Sequence, residues 1–108
     1  MDPLAGPVLV TIDYRIDAAR GAEFAAVMEA TRQARLRLGT RQWHLLRDSA
    51  HPSRFVECFM DENWTEHQRR LQRFTVADTK LRIQRMSFHV GGEPPLVRRL
   101  IGQGTPSP

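Results

Sequence analysis

Cysteine is nearly absent. Cys58 stands alone in 108 residues, so no disulfide can close within the chain and no multi-cysteine metal site can form in it. Lysine is equally scarce: Lys80 is the only one among 16 basic residues, the others being arginine, against 12 acidic residues and a formal net charge of +4. Arginines cluster at Arg32, Arg35, Arg37 and Arg41 and again at Arg69, Arg70 and Arg73. Acids are interspersed and no signature of a nucleic-acid module accompanies them, so these runs read as solvated helix faces and no nucleic-acid partner is expected. Long apolar runs are missing too, since nothing approaches the roughly 20 residues that cross a bilayer. The start, Met1-Asp2-Pro3-Leu4, has neither the basic residues nor the apolar stretch of a secretion signal. A cytoplasmic protein without membrane insertion is the expectation.

What is present fits one folded domain. Hydrophobic residues make up 41% and charged ones 26% of the chain, close to the globular norm, and the length suits a single core. Residues 1–7 and 102–108 are rich in proline and glycine and read as flexible tails around a domain at 8–101. From Val8 to Ile16 the chain alternates, with Val8, Val10, Ile12, Tyr14 and Ile16 on one face, which predicts a strand. Asp17 can cap the next segment, where Phe24, Val27, Met28, Thr31, Ala34 and Leu38 recur at helical spacing up to Gly39. Two strands follow at Arg41–Asp48 and Arg54–Met60, joined by a turn-forming Ser49-Ala50-His51-Pro52-Ser53. Asn63 then has the position of a helix cap with Glu66 three residues on, and Trp64, His67, Leu71 and Phe74 share one stripe. Thr75 with Asp78 offers a second cap, so the helical region breaks and restarts before ending near Arg85. Met86–Val90 is expected to be the fourth strand, with Leu96–Ile101 as a short extra strand or packing segment.

The order strand, helix, strand, strand, helix, strand predicts an α+β, ferredoxin-like βαββαβ sandwich, its helices on one face of an antiparallel sheet. The second strand offers Trp43 and Leu45 on one side and His44 and Leu46 on the other, and the third offers Phe55 and Phe59 opposite Val56, Cys58 and Met60. Both faces are therefore apolar, and a homodimer is expected to bury the open one, giving a dimeric α/β barrel.

The runs Trp43-His44-Leu45-Leu46-Arg47-Asp48, Arg54-Phe55-Val56-Glu57, Asp61-Glu62-Asn63-Trp64-Thr65-Glu66-His67-Gln68-Arg69 and Thr75-Val76-Ala77-Asp78 resemble the dimeric α/β-barrel superfamily around the antibiotic biosynthesis monooxygenases. More closely, the chain is similar to the soluble C-terminal domain of a branch of major facilitator transporters. The resemblance implies a dimerisation or small-ligand-binding module. It also implies the alternative of a cofactor-independent monooxygenase acting on an aromatic or quinone-type substrate in an apolar pocket, where polar side chains stabilise a substrate anion. No cofactor is expected under either reading.

Asn63 and Trp64 are the counterparts of that family's polar and indole groups, and His67 is a third catalytic candidate because an imidazole titrates near neutrality. Each also has a structural reading: Asn63 as helix cap, Trp64 as core anchor, His67 as a buried hydrogen-bonded residue. The expected ligand pocket comprises Tyr14, His44, Glu57, Trp64, His67 and Leu71. Glu57 either pairs with Arg41 or Arg47 or acts as a base with a raised pKa. His44 and His89 with a carboxylate would form a metal site only if they converged, no ligand motif supports that, and no metal is expected. Strand one carries Thr11, Asp13 and Tyr14 where the superfamily's haem-degrading branch has Asn, and Trp64 lies only three residues before His67, so the resemblance leaves haem binding through His67 open while the chain departs from the haem-oxygenase geometry. Cys58 reads as an inert thiol.

Overall fold

The structure of the chain is a computed structural model that describes residues 6–103; the parts of the expected tails at 1–5 and 104–108 lie outside it. The elements run β1 (Val8–Arg15), α1 (Gly21–Arg37) after a single 3-10 turn (Ala18–Arg20), β2 (Arg41–Arg47), β3 (Arg54–Asp61), α2 (Trp64–Gln72), α3 (Val76–Met86) and β4 (Leu96–Ile101). The strands form one antiparallel sheet in the order β2-β3-β1-β4. This is the ferredoxin-like α+β arrangement, with the helices on one face.

Local signals explain most of these boundaries. Asp17 accepts the Ala19 N–H and starts the 3-10 turn, and α1 buries Phe24, Met28, Thr31 and Ala34 at steps of three and four residues. Gly39, with φ +98°, takes the left-handed conformation that ends a helix at least cost. Asn63 accepts the Glu66 N–H at the start of α2, and Thr75 and Asp78 form a reciprocal capping box at the start of α3.

The fourth strand departs from expectation. Met86 closes α3, Phe88 turns into the core, and His89 makes only an isolated bridge with Ile16. The strand that pairs with β1 is Leu96–Ile101, in the register Val8↔Ile101 to Asp13↔Leu96. The apolar content of 86–90 belongs to a helix end and a core anchor instead: the Phe88 ring lies 5.8 Å from that of Phe24. Beyond β4 the Gly102 N–H donates to the Pro7 carbonyl at 2.7 Å, which ties down part of both expected tails.

A bulge in β2 sets the faces of that strand. Arg41 pairs with Met60 but His44 pairs with Cys58, one extra residue on β2, and Gln42 sits at φ +52°. The slip turns Trp43 and Leu45 under the helices and His44 and Leu46 to the open face.

Beneath the helices Tyr14, Ile16, Phe24, Met28, Phe55 and Phe88 form one core cluster, and Val8, Val10 and Phe59 a second. Each such side chain contributes about 1.5–3 kcal/mol on burial. The open face presents Leu9, Leu46, Val56, Cys58, Met60, Leu96 and Leu100, and Leu46, Leu96 and Leu100 remain half exposed.

Candidate functional site

The inner face of β3 reads Phe55, Glu57, Phe59, Asp61, with every residue buried. Two carboxylates thus lie in phase with two aromatic anchors, and each must find its donors inside the protein. Glu57 takes four hydrogen bonds. Arg35 from α1 gives it two, through Nε to Oε2 and Nη2 to Oε1, the Tyr14 hydroxyl donates to Oε1 at 3.0 Å, and the Trp43 indole N–H to Oε2 at 2.8 Å. The partner is neither of the arginines expected for it. Arg41 is carried to the exposed side by the bulge, and Arg47 is held by the carbonyls of Pro52 and Ala18. Burial, reinforced by the charge of Glu57, pushes the Tyr14 phenol well above its ordinary range, so Tyr14 acts here as a proton donor in a fixed bond and not as a titrating acid.

Asp61 anchors the second centre. It accepts the Thr40 hydroxyl at 3.0 Å and Arg70 Nε at 3.2 and 3.1 Å, and its Oδ2 lies 2.7 Å from His67 Nδ1. On the far side of the ring, Arg99 Nε donates to His67 Nε2 at 3.0 Å. A guanidinium can only donate, so Nε2 is the accepting nitrogen and Nδ1–H donates to Asp61. Arg70 Nη2, 3.2 Å from the same Nδ1, is then a close contact and not a donor to it. Burial holds His67 below the ordinary imidazole value; Arg70 and Arg99 act in the same direction, against the bond from Asp61. His67 is therefore a neutral link between a buried carboxylate and an arginine of β4.

In front of these two centres a cavity of about 270 Å³ opens between the sheet and helices α2 and α3. Its apolar walls include Val10, Ile12, Phe59, Phe74, Met86 and Val97, and Pro94 and Pro95 form one side. The turn carrying those prolines is clasped by His89, whose Nδ1 accepts the Arg15 N–H at 3.0 Å while Nε2 donates to the Glu93 carbonyl at 2.8 Å. Tyr14 and His67 reach the cavity from the polar centres, as do Arg35, Arg70, Arg82, Arg85 and Arg99.

Of the six expected pocket residues, the structure brings Tyr14, His67 and Leu71 to the cavity wall, Leu71 at its half-exposed rim. Glu57 lies behind Tyr14 and Arg35. Trp64 sits behind His67, ring centroids 5.3 Å apart, and packs on the Val8, Val10 and Phe59 cluster. His44 is a correction to the expected set: the Gln42 bulge puts it on the open face, and Trp43 takes the inward place. Asn63 is engaged as the cap of α2, its side chain accepting the Glu66 N–H at 2.9 Å. His44 and His89 do not converge, and no group of three or more His, Cys, Asp or Glu side chains among the described residues could hold a metal ion. Cys58 lies half buried on the open face, where burial pushes its thiol up and away from reactivity.

Sequence reasoning missed Asp61, Arg70, Trp43 and the cavity arginines. One signal was available: Asp61 continues the alternation Phe55, Glu57, Phe59, and Arg70 falls one helical turn after His67 on the same stripe.

The profile of a family described as transmembrane secretion effector matches residues 1–107. The chain belongs to that family. No helix among the described residues is long and apolar enough to cross a membrane. Among solved structures it is similar to SnoaB, a cofactor-independent oxygenase from Streptomyces nogalater, with TM-score 0.75 and 17% identity over 94% of this chain and 97% of that one. It is also similar to a Bordetella bronchiseptica protein assigned by its description to the antibiotic biosynthesis monooxygenases, with TM-score 0.74 and 19% identity over 91% and 98% of the two chains. A conserved protein of Methanosarcina mazei Go1 shares the fold at 6% identity, TM-score 0.75, covering 94% and 97%. At such identities the likeness is one of fold. A search of curated protein sequences finds no match.

Proposed function

We propose that residues 8–101 are the small-ligand-binding, self-associating module of a transmembrane secretion effector, working in the cytoplasm where the lone thiol Cys58 stays reduced. The observation that carries the reading is the cavity itself. At about 270 Å³ it lies just below the roughly 300–1,000 Å³ range of ligand pockets, room for one or two fused rings. Four of its polar groups, Tyr14, Arg35, His67 and Arg70, are held by Glu57 and Asp61 before any ligand arrives, so they need little further ordering on binding.

The homodimer is the other half of this reading. The open sheet face carries seven apolar side chains with no cover of their own, and monomers seldom leave such a patch in water. A second copy meeting it through the same face would bury both at once.

Cofactor-independent oxidation of an aromatic or quinone-type substrate is the second reading, supported by the fold shared with SnoaB. It asks for a base that touches the substrate. Among Asn63, Trp64 and His67 only His67 lines the cavity, and its one lone pair already accepts Arg99. This geometry favours binding over oxidation.

A thermal-shift panel of naphthalene-sized aromatics, quinones and polycyclic phenols tests the module. At least one compound is expected to raise Tm in a concentration-dependent way, and Val97→Trp, which fills the cavity from an edge strand, is expected to abolish the shift. No shift with any compound would overturn the reading, and oxygen uptake with a binding compound would move it to the oxidative alternative. Light scattering is expected to give twice the 12.4 kDa chain mass; a concentration-independent monomer would remove the dimer.

A further inference from the structure

The charges around the cavity do not balance. Arg35 is answered by Glu57 and Arg70 by Asp61. Arg82, Arg85 and Arg99 line the same cavity with no carboxylate within ion-pair distance among the described residues. Arg82 and Arg99 are exposed at the mouth and can be solvated, but Arg85 is only 8% exposed. A guanidinium so deeply placed normally has an anionic partner, because removing its water without one is costly. Its polar neighbour is the Tyr14 phenol, whose oxygen accepts a hydrogen bond from the guanidinium but brings no negative charge to it. Burial and the nearby Arg35 both disfavour the charged form of Arg85, which has a like-charged neighbour and no carboxylate of its own among the described residues.

The geometry points to an organic carboxylate as the ligand of this cavity: a one- or two-ring apolar body against the sheet and Phe74, with its carboxylate held by Arg85 and steered in by Arg82 and Arg99. This inference rests on the ligand-binding reading above and narrows it. A planar guanidinium matches a carboxylate through paired, parallel hydrogen bonds. The ligand must also arrive already ionised, since Arg99 occupies the one accepting nitrogen of His67 and, among the described residues, leaves the cavity wall no free base to take a proton from a phenol. The apolar walls give the ring its place, and the three unanswered arginines give the anion its place.

Calorimetric titration of the full chain with 2-naphthoate, 2-naphthamide, 2-naphthol and inorganic phosphate tests this. Naphthoate is expected to bind at least tenfold tighter than the amide or the phenol. The advantage is expected to disappear in Arg85→Met and to fall several-fold in Arg82→Gln, whose exposed position makes it safe for folding should Arg85→Met prove unstable by circular dichroism. Raised salt is expected to weaken naphthoate and leave the amide unchanged. Equal binding of naphthoate, amide and phenol would overturn the carboxylate while leaving the ligand-binding reading intact. Phosphate binding as tightly as naphthoate would overturn the apolar part. If none of the four binds while a larger compound in the thermal-shift panel does, this inference fails alone; if nothing binds in either experiment, both fail.

Discussion

Under the helices, where a sheet normally shows only hydrocarbon, β3 places two carboxylates, and Arg35, Arg70, Arg85 and His67 crowd in front of them. On the opposite face, where an uncovered sheet normally turns polar, stand Leu9, Leu46, Val56, Met60, Leu96 and Leu100. The usual assignment of apolar in and polar out is thus partly exchanged between the two faces. Buried ion pairs rarely repay their desolvation as stability alone. Their concentration around one cavity is what the proposed ligand-binding role would account for, and the apolar face is what the proposed second copy would cover.

The largest effect that would sharpen this contrast is on the inner face. Glu57→Ala leaves Arg35, Tyr14 and Trp43 with buried donors and no acceptor, and is expected to cost about 3–5 kcal/mol in urea unfolding. Glu57→Gln, which keeps an acceptor oxygen, is expected to cost clearly less. A loss below about 1 kcal/mol for the alanine variant would show that the centre is solvated and the contrast between the faces is weaker than drawn.

On the open face the same size of change should spare folding and strike assembly. Leu46→Glu or Leu100→Glu adds a charge where the side chain is about half exposed, 54% and 52%. The folded chain is expected to keep its circular dichroism while light scattering falls from dimer to monomer. Unaltered mass in both variants would break the pairing of this face with a second copy.

A smaller effect separates the two inner centres by pH. His67 is held below its ordinary value, so between its folded and unfolded pKa values the unfolded chain binds the extra proton, and stability rises with pH through that window. The contribution is full above the ordinary imidazole value of about 6.5 and is lost as pH falls below it. The groups facing the ring are Asp61 of β3, Arg70 of α2 and Arg99 of β4. Wild-type Tm is expected to drop between pH 7.5 and 5.5 by more than that of His67→Asn. Parallel curves would show that His67 does not carry the dependence.

The smallest expected change is at Thr31, whose buried hydroxyl oxygen finds no hydrogen-bond partner among the described residues. Thr31→Val removes that unsatisfied group at almost constant shape and is expected to be neutral or to stabilise by about 0.5–1 kcal/mol.

Much of this architecture could be read from the residues. The alternation from Val8 to Ile16, the stripe of α1 and the caps at Asn63 and Thr75 are local signals, and they led directly to β1, α1, α2 and α3. The fourth strand could not be read in this way. Residues 86–90 and 96–101 are both short and apolar, and only the distant pairing of β1 with Leu96–Ile101 separates them. The faces of β2 were hidden for a similar reason: a single extra residue at Gln42 exchanges His44 for Trp43, and no composition signal announces a bulge. The cavity was half legible. Tyr14, His67 and Leu71 followed from strand parity and helical stripe, whereas choosing Arg35, Arg85 and Arg99 from so many arginines requires knowing which elements meet.

An amide-detected NMR titration with 2-naphthoate puts the contrast between the two faces to its most direct test. The account predicts that shifts concentrate at Val10, His67, Arg85 and Val97 around the cavity, with Leu46, Val56 and Cys58 across the sheet unmoved. Shifts confined to the open face would contradict it, for the ligand would then be using the surface assigned to a second copy.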